Sequence, residues 1–93
     1  MTILQVYIAR HCPASVYALD LAQQAAVTFP QAEVSVIDVD DPAWRGAPER
    51  EAILFTPAFV LDGRPIFWGN PRREELFQRL RGALTAPATG EAT

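Results

Sequence analysis

The stretch "TPAFVLDGRPIFWGNPRREEL", Thr56 to Leu76, holds three structural signals in succession. Two short runs of apolar and aromatic residues, "AFVL" and "RPIFW", flank Asp62-Gly63, a dipeptide that favours the positive φ angles of a tight hairpin. Pro65 has no N–H to donate to a ladder, so the second strand is expected at a sheet edge. The pattern then becomes helical. Asn70 reads as an amino-terminal cap, Pro71 as the first helical residue, and Leu76, Phe77, Leu80 and Leu84 as the apolar face.

Upstream, "ILQVYIA" (Ile3 to Ala9) is a continuous apolar run and reads as a strand buried on both faces. From Pro13 to Phe29 the spacing becomes helical, with Val16, Leu19, Ala22, Ala26 and Phe29 as the expected inner stripe. Pro13 takes the first helical position and Pro30 ends the helix. "EVSVIDV" (Glu33 to Val39) is a second strand, parallel to the first because a helix crosses between them. Asp41 and Pro42 open another helix, which Gly46 and Pro48 keep short. The order strand, helix, strand, helix, strand, strand, helix predicts a four-stranded mixed α/β sheet in the order 2-1-3-4, with three helices covering both faces.

The chain has 93 residues, 49% of them hydrophobic and 10% aromatic, enough for one core of modest size. Residues 1–84 are expected to form the single domain, and the small polar residues 85–93 a disordered tail. A net charge of −3 argues against nucleic-acid binding. All eight basic residues are arginine, which fits either a GC-rich genome or a set of bidentate anion or partner contacts. No apolar run approaches the ~18 residues of a membrane span. "MTILQVYIAR" has no basic region ahead of an apolar one, so no secretory leader is expected. No cluster has metal-ligand spacing, and no resident cofactor is expected. The single cysteine, Cys12, excludes an internal disulfide framework and fits a reducing, cytoplasmic setting.

Cys12 lies in "RHCPASVYAL" (Arg10 to Leu19), where the first strand gives way to the helix. A thiolate is stabilised at a helix amino terminus by unpaired backbone N–H groups and the positive end of the helix dipole. Ser15, three residues on, can donate from its hydroxyl, and His11 can add positive charge, as can Arg10. The competing reading is a buried, inert cysteine. Ser15 stands where a dithiol site has its second cysteine, so a mixed disulfide on Cys12 would need an outside thiol for its resolution. Asp38 reads as a strand-end residue, Trp44 and Trp68 as core or rim aromatics, and Arg72 to Glu75 as a solvated first turn.

The element order, Cys12 at the first strand-to-helix turn, and Thr56-Pro57 opening the hairpin resemble the thioredoxin-like superfamily in its small, glutaredoxin-sized form. The resemblance spans Ile3 to Leu84. It implies a cis bond before Pro57, packed against the cysteine, and a role for Thr56, Pro57 and Pro13 in binding substrate. It implies catalysis by Cys12, assisted by Ser15 and His11, with protein or small thiols and disulfides such as glutathione as partners. Monothiol glutaredoxins that hold iron–sulfur clusters carry Cys-Gly-Phe-Ser, whereas Pro13 and Ala14 stand here. "VYIARHCPASVYAL", "VIDV" and "AILFTP" are also similar to the KaiB family of clock proteins, which implies a non-catalytic adaptor using the same face. The Asp62-Gly63 hairpin and the final helix depart from that family.

Overall fold

A computed structural model of the chain describes residues 2–9, 12–41 and 56–85. Four strands form one sheet: β1 (Ile3–Ile8), β2 (Glu33–Asp38), β3 (Ala58–Leu61) and β4 (Arg64–Trp68). Their order is β2-β1-β3-β4, as the sequence predicts. β1 and β2 pair in parallel from Ile3 with Glu33 to Ile8 with Asp38. β3 runs antiparallel to both β1 and β4. Two helices are described, α1 (Ala14–Thr28) and α2 (Arg73–Thr85).

Side-chain alternation along the central strands creates two apolar layers. Leu4, Val6 and Ile8 of β1, with Phe59 and Leu61 of β3, face the helices and meet Ala18, Leu21, Ala25, Leu76 and Leu80. Tyr7, Ala58 and Val60 point to the opposite face, where Ile37 and Val39 join them. Burial on both faces is why β1 and β3 read as continuous apolar runs. Phe29 and Phe77 tie the two helices together edge-to-face, with centroids 5.1 Å apart.

The expectation of three helices on both faces is corrected. Among the described residues there are two, and a single apolar cluster gathers both onto one face. The short helix expected after Asp41 falls on residues 42–55, outside the described residues. The tail beyond Thr85 also lies outside them. Thr85 itself closes α2, its hydroxyl donating to the Arg81 carbonyl at 2.8 Å. No helix among the described residues is long and apolar enough to cross a membrane.

The inner stripe of α1 is also shifted from the expected one. Ser15, Ala18, Leu21, Ala22 and Ala25 are buried, whereas Val16 is 71% exposed. Both stripes have helical spacing, and the inward turn of Ser15, whose hydroxyl accepts the Ala9 N–H at 3.1 Å, decides between them. α2 starts at Arg73 rather than Pro71. Glu75 reaches back to accept the Arg72 N–H at 3.1 Å, the reciprocal half of a capping box, so Asn70 is not its cap.

The β3–β4 turn is as expected. Asp62 and Gly63 have φ of 50° and 83°, the left-handed pair of a type I′ hairpin. Asp62 also clips the turn to β1 by accepting the Ile3 N–H at 2.8 Å. Pro65 lies on the edge strand, where the pairing slips by one residue between Phe59 and Val60 and leaves Ile66 as the extra residue.

Two substitutions test this architecture. A Cβ at Gly63 would meet nothing within 4 Å, so Gly63→Ala carries backbone strain alone, about 1 kcal/mol of lost stability. Leu76→Ala empties a fully buried site and should cost about 3 kcal/mol. Urea unfolding should show both as lower midpoints with unchanged slopes.

Candidate active site

β1 ends at Ile8, and the chain turns into α1 through Ala9 and Cys12. The Cys12 N–H donates to the Ala9 carbonyl at 3.1 Å, and the Ser15 N–H to the Cys12 carbonyl at 2.9 Å. Pro13 already has helical dihedrals, φ −59° and ψ −32°, but stands one residue before the first helical residue, Ala14. No side chain caps α1, and its first turn contains no acidic residue. The positive end of the helix therefore faces the Cys12 turn without a local carboxylate against it.

Ser15 is 4% exposed, and its hydroxyl oxygen accepts the Ala9 N–H at 3.1 Å. With the oxygen engaged as acceptor, its one proton remains for donation. That proton serves the Cys12 sulfur and is the largest influence holding the thiol below its ordinary pKa. Partial burial acts in the opposite direction. The backbone N–H groups of Ala14 and Ser15, then the Thr56 side chain, add to the lowering. Cys12 is half-buried, which leaves its sulfur open to a reaction partner.

The second half of the site comes from the start of β3. The Thr56–Pro57 peptide bond is cis, and Pro57 is fully buried. The Cys12 thiol donates to the Thr56 carbonyl, with sulfur and oxygen 3.8 Å apart. The pairing of β1 with β3 explains this meeting, because Tyr7 stands opposite Ala58, close to the end of β1 and the start of β3. Of the six residues singled out from sequence, the structure brings Cys12, Ser15, Thr56 and Pro57 together, with Pro13 in the same turn. His11 lies outside the described residues, as do Arg10 and Trp44.

Asp38 ends β2, where its carboxylate accepts the Asp40 N–H at 2.9 Å. Trp68 is 44% exposed and pairs with Ala58, next to Pro57. Arg73 and Glu74 form an exposed ion pair at 3.9 Å, in keeping with a solvated first turn. A groove of about 290 Å³ between the helices is lined by Tyr17, Leu21, Gln24, Arg72, Arg73 and Glu74, and by none of the site residues. Asn70 is the contact that sequence reading missed: its side-chain amide donates to the Ala14 carbonyl at 2.9 Å. Local pattern makes Asn-Pro before a helix a cap, and a bond across 56 positions leaves no local signal.

No protein-family model and no curated protein matches the sequence. Solved structures do match in three dimensions. The germline-specific thioredoxin Deadhead of Drosophila melanogaster superposes with a TM-score of 0.70 at 22% identity, over 86% of this chain and 78% of that one. Fasciola hepatica thioredoxin gives 0.68 at 21% identity, over 86% and 79%. Mitochondrial thioredoxin 3 of Saccharomyces cerevisiae, in its oxidised form, gives 0.68 at 19% identity, over 86% and 76%.

The pH dependence of Cys12 follows from its donors. In the folded protein, alkylation by iodoacetamide should stay fast to lower pH than in the denatured chain, and Ser15→Ala should move the folded profile upward. A folded pKa below the unfolded one stabilises the native state fully above the unfolded pKa. That contribution is lost as pH falls through the folded pKa. Chemical unfolding at a series of pH values should therefore show wild type gaining on Cys12→Ala as pH rises through this window.

Proposed function

For a chain with the thioredoxin fold, we propose thiol redox chemistry by a single nucleophilic cysteine, with an external thiol completing each cycle. The observation that carries this reading is the Cys12 sulfur at the start of α1, 3.8 Å from the carbonyl that precedes the cis Pro57. The thiolate attacks one sulfur of a substrate disulfide, forming a new S–S bond to Cys12 and expelling the other sulfur as a thiolate. An external thiolate, such as that of glutathione, then attacks the mixed disulfide. Cys12 leaves as a thiolate, and the two electrons that reduce the substrate come from the outside thiols.

The chain's own residues supply activation and orientation. Ser15, the first-turn amides and the Thr56 side chain stabilise the sulfur's negative charge, both before attack and when Cys12 is expelled. Thr56 and Pro57 form the wall against which a disulfide-bearing substrate would lie. No second cysteine is present in the chain, so the adduct waits for an outside thiol. Nothing among the described residues favours the non-catalytic adaptor over this chemistry.

Mixing the protein with oxidised glutathione should give a mixed disulfide that reduced glutathione reverses. Cys12→Ser should abolish it with the fold retained. Failure of the wild-type protein to form the adduct would overturn the proposal. Ser15→Ala should slow adduct formation several-fold near neutral pH, on the order expected from a smaller thiolate fraction. Ser15→Cys should change the product, because a thiol three residues on can resolve the adduct internally. Mass spectrometry should then find an intramolecular disulfide in place of a lasting glutathione adduct.

A further inference from the structure

Residues 69 and 70 fasten together the two segments that form the site. Gly69, with φ of 92°, donates its N–H to the Pro57 carbonyl at 2.7 Å. Asn70 then donates its side-chain amide to the Ala14 carbonyl at 2.9 Å, in the first turn of α1. That carbonyl belongs to the same planar peptide unit as the Ser15 N–H. The unit is trans, so its C=O and N–H point in opposite directions, and holding one end aims the other. The N–H end points back to Cys12 and donates to its carbonyl oxygen at 2.9 Å. A hydrogen bond accepted by a peptide carbonyl also polarises the unit and makes its N–H a stronger donor.

We propose that Asn70 is a positioning residue for Cys12, holding the Ala14–Ser15 peptide unit so that its N–H keeps the Cys12 turn, and with it the reacting sulfur, in place at the start of α1. The inference rests on reading Cys12 as the reacting group. It assigns to Asn70 a part in the chemistry without contact with substrate. A second polar link joins α2 itself to α1, from the Arg73 guanidinium to the Gln24 side-chain oxygen at 3.4 Å. That link lies farther along α1 and does not touch the first-turn peptides, so it separates a hold on Ala14 from a general fastening of helix to helix.

The test is the pH profile of Cys12 alkylation by iodoacetamide in the intact chain. Asn70→Ala should raise the midpoint by about half a pH unit, the loss of one modest hydrogen-bond contribution. Asn70→Asp keeps the size but replaces the donor by a carboxylate, and should raise it at least as far. Gln24→Ala should leave the midpoint in place. Unchanged profiles in the two Asn70 variants overturn the proposal, and so does an equal displacement in Gln24→Ala. Should Asn70→Ala fail to fold, Asn70→Asp decides alone. The readout involves no glutathione, so the two readings fail separately. A missing glutathione adduct with a displaced Asn70→Ala profile removes the proposed function only, and a normal adduct with an undisplaced profile removes this inference only.

Discussion

The bond from the Ala9 N–H to the Ser15 hydroxyl sets the phase of α1 and, through it, the chemistry of the site. Ala9 lies just past the last residue of β1 and is 5% exposed, so its N–H has little access to water. Left unpaired, such a donor would cost about 1–3 kcal/mol. Ser15 satisfies it only by turning inward, and that turn carries Ala18, Leu21, Ala22 and Ala25 into the core while Val16 goes to solvent. The same orientation leaves the hydroxyl proton for the Cys12 sulfur. A second cysteine at this position would be a weak acceptor, and the Ala9 N–H would lose much of its partner.

Topology accounts for the rest of the site. β3 runs antiparallel to β1 beside it, so the segment entering β3 lies at the end of the sheet where β1 stops. β4 returns antiparallel to β3 and brings Trp68, Gly69 and Asn70 back to that same end. Three segments distant in sequence thus converge at residues 9 and 12–15, 56–57 and 69–70. The Gly69–Pro57 and Asn70–Ala14 bonds join them without a side chain from the core. This accords with the general placement of sites beyond the carboxyl ends of strands in α/β sheets.

What was legible in the sequence follows the range of the forces involved. The strands, the Asp62-Gly63 turn and the Leu76–Leu80 face depend on local conformational preference or on one strong periodicity, and they were read correctly. The meeting of the Cys12 turn with Thr56 and Pro57 was implied by the family resemblance and by no local pattern, and the structure places those residues together. The phase of α1 was misread because its many alanines and scattered large residues support two stripes of equal period. A buried serine chose between them, and polarity at position 15 argued against that choice. Asn70 and Pro13 were misplaced by rules that are sound for isolated helices. Glu75 took over the capping of α2, which left the Asn70 amide for a distant carbonyl, and no local rule weighs those alternatives.

The Thr56 carbonyl couples protonation to access in the proposed chemistry. While Cys12 is a neutral thiol, its proton is donated to that oxygen. Ionisation removes the donor. The sulfur then turns to groups that can give it a proton's worth of interaction: the Ser15 hydroxyl, the Ala14 and Ser15 amides and the Thr56 side chain. The carbonyl then lacks its donor beside a nucleophile, and in the proposed chemistry a main-chain N–H of an incoming disulfide-bearing peptide would satisfy it. Activation of the sulfur and opening of a binding group are then one event. The cost of an unpaired carbonyl, otherwise a penalty on forming the thiolate, becomes part of the affinity for substrate.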